Sequence, residues 1–285
     1  MVQIEVHTIG TFCEDKEMSC DEAVKCFSNM EIFMEVLQMV LLAKSYKPGG
    51  RCLAGKLVEY TDKSTVKVGG WVRPVANDGS GHGALTERIY LYEDGSEASI
   101  LDIVEIPVIR HFPIAGQPEN YVVDESKKWK KIGTLNANCI PRITENAPDI
   151  WNDTNTQSNI VTAGYDQKGL ISQSLYLIKP SNFLITLSNE FNDYEQSYKR
   201  KIVASFSYSG RAYRNISVTC PSAKRILTNQ YPKEGRDPIT IPLRKGDDYV
   251  LCMSLSPRFG NDENHYKLVA TIFDFDGYLQ REYAA

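Results

Sequence analysis

The residues most able to do chemistry cluster in one short stretch. Between Leu41 and Leu57 the chain reads LLAKSYKPGGRCLAGKL, setting Lys44, Lys47, Arg51 and Lys56 around Gly49, Gly50 and Gly55. Glycine lets backbone amides approach a ligand closely, and neighbouring cations suit an anion. The structural alternative is a β-turn with solvated lysines. Gly50, Gly55 and Lys56 have the spacing of a phosphate loop, but Leu57 stands where a hydroxyl would hold Mg²⁺. The stretch is therefore read as an anion-binding turn and not as an NTPase.

Other groups could join it. Trp71 and Arg73 are two apart in GGWVRPV and point the same way if that segment is extended. A ring stacking on a base beside a guanidinium on a phosphate is ordinary single-strand binding chemistry. Core packing for Trp71 and a salt bridge for Arg73 are the alternatives. In GQPENY, Gln117, Glu119 and Asn120 offer two amides and a carboxylate. They suit a base edge or a ribose, or the backbone of their own loop. The expected ligand contacts are thus Lys44, Ser45, Lys47, Gly50, Arg51, Trp71, Arg73, Gln117, Glu119 and Asn120.

Catalysis finds less support. Asp102, between apolar neighbours in LDIVE, is read as a buried cap pairing with Arg51 or Arg73, in preference to a catalytic carboxylate. Cys52 beside Arg51 would need a histidine base, and none of His7, His82, His111 and His265 is tied to it by a motif. A small buried thiol is the expectation. The lysines of KKWKK (Lys127 to Lys131) fit either an amphipathic edge strand or part of a nucleic-acid track, as do Lys199, Arg200 and Lys201.

Bulk properties bound these readings. The chain has 285 residues, 42% hydrophobic and 24% charged, with a net charge of −4. That balance excludes a globally basic nucleic-acid binder but leaves room for a local basic face. Seven cysteines, with no CxxC pair, exclude zinc-ribbon and thioredoxin patterns. Reduced thiols in the cytoplasm are expected. No secretory pattern opens the chain, and no apolar run approaches the ~20 residues of a membrane helix. No metal-ligand spacing is present, and no cofactor is expected.

The elements that must position these groups are mostly strands. Val2, Ile4 and Val6 alternate as a short strand, and Ser19 to Glu22 has capping-box form ahead of a helix reaching the Met34 region. The second half of VLQMVLLAKSY reads as a strand stopped by Pro48 and Gly49. KLVEYT, KVGGWVRPV and KKWKKIGTL are further strands, and RIYLYEDGSEASILDIVEIPVI reads as strand, Asp94-Gly95 turn, strand. Asn136 to Lys168 is polar and reads as loop, with a short helix near Pro148–Trp151. Beyond it, Ile202, Ala204, Phe206 and Tyr208 alternate up to a Ser209-Gly210 turn, with Tyr213, Ile216 and Val218 returning. DYVLCMSLS and HYKLVATIF (Tyr266, Leu268, Ala270, Ile272) alternate likewise, while Asn229 to Pro238 reads as a polar connection. Short strands with Gly and Pro turns indicate a sandwich or small barrel. No residue-level repeat joins the halves.

The segments LLAKSYKPGGRCLAGK, GGWVRPV, LDIVEIPV, GQPENYVVD, FSYSGRAYRNISVTCP and DYVLCMSLSPRF…HYKLVATIF occur in an order that resembles the bacterial dual OB-containing domain family, over roughly Leu41 to Phe273. The resemblance implies a mainly β fold of two tandem OB-like small β-barrels, here with a short N-terminal helical extension. The boundaries expected are 1–37 for the extension, 38–182 for the first barrel with a long loop insertion, and 183–285 for the second. It also implies a role in nucleic-acid or nucleotide recognition, within bacterial defence gene systems. The expected function is a non-enzymatic binding module for single-stranded nucleic acid or a nucleotide. The alternative is a protein-interaction accessory subunit docking a partner effector.

Overall fold

The computed structural model describes residues 35–47, 49–62, 65–80, 83–152, 158–162, 164–193, 196–230, 238–241, 249–259, 261 and 263–274. The strand and helix expected ahead of Met34 lie outside the described residues, as does most of the connection expected from Asn229 to Pro238.

The first half is built from β1 (Glu35–Lys47), β2 (Gly50–Tyr60), β3 (Val66–Val75), α1 (Glu87–Tyr90), β4 (Asp102–His111), β5 (Asn120–Val123) and β6 (Lys130–Thr134). Its strand order is β1-β2-β3-β5-β4, and β4 pairs back onto β1, closing a five-stranded barrel with β6 added beside β4. β3 and β5 run parallel. Closure depends on the length of β1. Glu35 to Val40 pair with β4, while Met39 to Lys47 pair with β2. A bulge between Leu41 and Ala43 bends the strand from one neighbour to the other. Gly55 fits this bend, because a Cβ there would collide with the Val40 carbonyl oxygen.

Alternation on β1 then serves two cores. Leu37, Met39 and Leu41 fill the barrel with Leu53, Val72, Ile106 and Trp129. Val40 and Leu42 face outward into a core shared with the second half, including Leu177, Leu251 and Ile272. A strand buried on both faces reads as a continuous apolar run, as VLQMVLLA does.

The second half comprises β7 (Ile160–Val161), α2 (Gly164–Gln167), β8 (Leu175–Ile178), β9 (Ser181–Asn192), β10 (Ser197–Tyr208), β11 (Arg211–Val218), α3 (Pro221–Gln230), β12 (Ile239–Ile241), β13 (Tyr249–Leu255) and β14 (His265–Asp274). Within it, β9-β10-β11-β14-β13 repeats the order of the first half, and β11 runs parallel to β14. Each half carries a helix between its third and fourth strands. The sequence conceals this duplication. No pairing joins β9 to β13 among the described residues, so the second expected barrel is an open sheet. The Phe183 and Tyr249 rings meet across the gap at 5.3 Å, and β12 and β8 extend the two edges.

Ser209 and Gly210 both take positive φ (48° and 75°), as a tight hairpin turn requires. Asn215, at φ 56°, accounts for the three-residue step from Tyr213 to Ile216. Arg88 to Tyr90 form α1 and not the expected strand. Ile89 and Tyr90 are both buried, which strict alternation cannot achieve. The Asp94-Gly95 turn is present, with Gly95 at φ 81°. A 3-10 helix at Ala137–Ile143 replaces the helix expected near Pro148–Trp151. Trp151 is fully buried, so this connection is partly core and not surface loop throughout. On β14 the half-buried Tyr266 and Leu268 alternate with fully buried His265 and Lys267, the reverse of the expected burial. Lys267 Nζ donates to the Ser158 carbonyl at 2.8 Å. Among the described residues no helix is long and apolar enough to cross a membrane.

Candidate functional site

Trp71 and Arg73 lie on β3, and Val72 between them points into the barrel. Both therefore face outward, and the second half covers them. Trp71 is buried, and its Nε1 donates to the Glu145 carboxylate at 3.1 and 3.2 Å. Lys56 Nζ lies 5.0 Å from the Trp71 ring centre and 3.3 Å from the same carboxylate. Glu145 also accepts from the Leu177 amide at 2.8 Å. The Arg73 guanidinium is buried among four partners. Its Nε pairs with Glu119 at 3.3 Å and its Nη1 faces Cys52 Sγ at 2.9 Å. Its Nη2 donates to Ser174 Oγ at 2.6 Å and to Ser254 Oγ at 3.3 Å. Ser174 precedes β8 and Ser254 is on β13, so Arg73 ties the two halves together. The face that barrels of this type use for ligands is built here, but it is occupied by protein. Buried among these partners, Trp71 offers no open stacking surface.

The GQPENY loop belongs to the same tie. Gln117, Glu119 and Asn120 are all buried. Gln117 Nε2 donates to the Leu255 carbonyl at 3.1 Å, and Asn120 Nδ2 to Gln117 Oε1 at 3.3 Å. Glu119 accepts from the Ser174 amide at 3.2 Å and from its hydroxyl.

The basic hairpin divides its cations among three environments. Lys56 is buried under Trp71. Ser45, Tyr46 and Lys47 line a cavity of about 270 Å³ between the halves, along with Arg73, Pro257 and Phe259 among others. Burial holds the Lys47 ammonium below the ordinary lysine range. Lys44 and Arg51 line a second cleft, of about 220 Å³, with Ser99, Ser222 and Thr271. Lys44 Nζ pairs with Glu97 at 3.0 Å and donates to the Ala98 carbonyl at 2.6 Å. Burial lowers its pKa, and Glu97 partly opposes that shift. Gly50 is close to protein and not to an open site: a Cβ there would collide with the Leu85 carbonyl oxygen. That oxygen accepts from the Arg51 amide at 2.8 Å.

Three features of this region escaped the sequence reading. Tyr46 is 60% exposed, and Arg51 Cζ lies 3.9 Å from its ring centre. Lys224 Nζ, from α3, stands 5.9 Å from the same ring. Helix α3 itself had a signal in PSAKRILTNQ: Pro221 suits the first helical position, and buried Ala223, Ile226 and Leu227 fall at helical spacing.

The remaining candidates are held in local pairs. Asp102 binds Lys131 at 2.6 Å, in place of the expected arginine, and accepts from Tyr92 Oη and the Ser99 amide, each at 2.9 Å. In KKWKK, Trp129 points into the barrel, Lys130 lies 3.7 Å from Glu105, and Lys128 donates to the Arg88 carbonyl at 2.9 Å. Lys201 pairs with Glu190 at 2.9 Å. A wider groove of about 660 Å³, lined by Tyr60, Val68, Ile132 and Arg142, holds none of the expected ligand contacts.

Residues 37–272 match the model of the dual OB-containing domain. A search of curated proteins returned no match.

Proposed function

Because the chain belongs to the dual OB-containing domain family, we propose that it is a binding module for single-stranded nucleic acid or a nucleotide, engaged at the open end of the β1–β2 hairpin. The observation that carries this reading is the exposed Tyr46 ring, with the Arg51 guanidinium at 3.9 Å and Lys224 at 5.9 Å. An exposed aromatic ring beside two cations provides a stacking platform and phosphate partners together. Tyr46 takes the role the sequence reading gave to Trp71, and Arg51 keeps the one it was given.

The test is oligonucleotide binding measured against salt. Tyr46→Ala is expected to weaken binding roughly tenfold, since base stacking contributes about 1–3 kcal/mol. Arg51→Ala is expected to lower the salt slope by about 0.7 for a single strand. Binding that keeps its affinity and slope in both variants overturns the proposal.

A second reading, the accessory subunit that docks a partner protein, draws on the far end of the β9–β10 hairpin. Phe191 and Tyr198 pair there at 5.1 Å and are 46% and 51% exposed. A stable complex on co-expression with neighbouring gene products, without an oligonucleotide shift, favours that reading.

A further inference from the structure

We propose that the cleft between Lys44, Arg51 and the N-terminus of α3 is a pocket for a phosphate monoester. This deepens the reading above, since Arg51 belongs to both the stacking platform and the cleft. It rests on that reading only for the choice of nucleic-acid probes.

Four observations converge. First, the cleft receives the start of a ten-residue helix. The Lys224 amide bonds the Cys220 carbonyl at 2.9 Å, which makes Cys220 the cap and Pro221 the first helical residue. The amides of Ser222 and Ala223 then have no partner within the helix and carry its positive end. Second, Lys44 and Arg51 enter from the first half, on β1 and β2. Third, among the described residues the cleft is lined by one carboxylate, Glu97, already paired with Lys44 at 3.0 Å. Two cations and one anion leave an excess positive charge before the helix is counted.

The fourth observation points to an occupant. Thr271, on β14, lines the cleft and is 1% exposed, yet its hydroxyl has no hydrogen-bond partner among the described residues. A buried hydroxyl without a partner is costly, and native structures seldom keep one without a reason. A phosphate oxygen seated between the helix start and Arg51 would accept from it.

The shape selects among phosphates. A chain-internal diester must enter and leave, whereas the buried Thr271 in the lining leaves this cleft closed by protein on that side. A terminal monoester needs one opening and brings up to two charges. The same chemistry is presented by a free nucleotide and by the phosphorylated end of an oligonucleotide.

The experiment uses the full chain and calorimetric titration with inorganic phosphate, a nucleoside monophosphate, and one oligonucleotide carrying either a terminal phosphate or a terminal hydroxyl. Inorganic phosphate is expected to bind, and the phosphorylated oligonucleotide to bind at least about tenfold tighter than the hydroxyl form. Thr271→Val, which removes a hydroxyl that bonds nothing among the described residues, is expected to leave the urea midpoint unchanged or raised and to erase that preference. Glu97→Gln, at an exposed side chain, is expected to tighten phosphate binding. Whichever of the monophosphate and the phosphorylated oligonucleotide binds tighter identifies the source of the phosphate. Phosphate binding that survives with no oligonucleotide affinity supports the pocket while overturning the nucleic-acid reading. Oligonucleotide binding indifferent to the terminal group, with no phosphate binding or with Thr271→Val unchanged, overturns the pocket and leaves that reading standing.

Discussion

Arg73 decides whether the covered face of the barrel is a joint or a ligand surface. Arg73→Met keeps an unbranched apolar stem of similar reach and removes the guanidinium. The structure then leaves the buried Glu119 carboxylate without its cation at 3.3 Å, and Ser174 and Ser254 without donors at 2.6 and 3.3 Å. Breaking a buried ion pair from one side costs about 3–5 kcal/mol, because the surviving charge stays buried. With a urea dependence on the order of 2–3 kcal/mol per molar, the midpoint should fall by roughly 1–2 M. Adding Glu119→Gln removes the stranded charge while keeping an acceptor for the Ser174 amide, so the double variant should recover at least about half of the loss. Circular dichroism and tryptophan fluorescence during urea unfolding measure both. A single variant with an unchanged midpoint, or a double variant no more stable than the single, refutes the joint. Lost oligonucleotide binding at unchanged stability would restore Arg73 as a direct contact.

Two further outcomes follow from the hairpin. Gly50→Ala sets a Cβ against the Leu85 carbonyl oxygen and is expected to cost about 1–3 kcal/mol; Gly49→Ala meets open space at φ +84° and should cost about 1 kcal/mol, a ranking that urea midpoints check. Lys44, whose pKa burial lowers below 10.5 against the pull of Glu97, with Arg51 lowering it further and Asp102 raising it, should lose its charge before an ordinary lysine. The unfolded chain holds the extra proton between that lowered value and 10.5, so this residue's contribution to stability rises with pH across that window, while phosphate affinity falls across it. Affinity that is flat with pH up to 10.5 contradicts the assignment of Lys44 to the cleft.

What was legible in the sequence is what period and turn chemistry encode. The apolar run of β1, the Ser209-Gly210 turn and the alternating β10 each announce themselves. Trp71 and Arg73 were correctly placed on one face, since the two-residue period of an extended strand fixes that. What period cannot encode is which surface covers a face, and the second half covers this one. A side chain reads the same in sequence whether it meets a base or Glu145. The hairpin cations are separated for a related reason: Ser45, Tyr46 and Lys47 line one cavity and Lys44 and Arg51 another, so near neighbours in sequence serve different cavities. Helix α3 carries a signal in Pro221 and the Ala223, Ile226, Leu227 spacing, but ten residues are a short window beside the strongly alternating strands around them, and the sequence reading gives them no element. The duplication left no trace because strand order constrains which residues are buried and not which apolar residue fills each position.

The duplicated topology explains where an open site can remain. In a five-stranded barrel of this type, ligands meet the face of strands two and three and the loops after strands one and four. In the first half the face is covered, and the loop after β4 is locked onto the second half by Gln117 on the Leu255 carbonyl. Its neighbour Gly116, at φ 77°, lies against the His265 ring, where a Cβ would come within 2.7 Å. His265 in turn opens β14, so each half meets the other through the region joining its fourth and fifth strands. In the second half the β10–β11 hairpin is held as well: Tyr208 Oη donates to the Glu145 carbonyl at 3.0 Å and Arg211 pairs with Asp149 at 2.8 Å. The β9–β10 hairpin keeps the exposed Phe191 and Tyr198 rings, while the β1–β2 hairpin sets its exposed Tyr46 ring beside Arg51, and the second half answers it with α3, Lys224 and Thr271. A ligand there touches both halves at once. Its affinity should therefore depend on the joint at Arg73, and loosening that joint should weaken phosphate binding without touching any residue of the cleft.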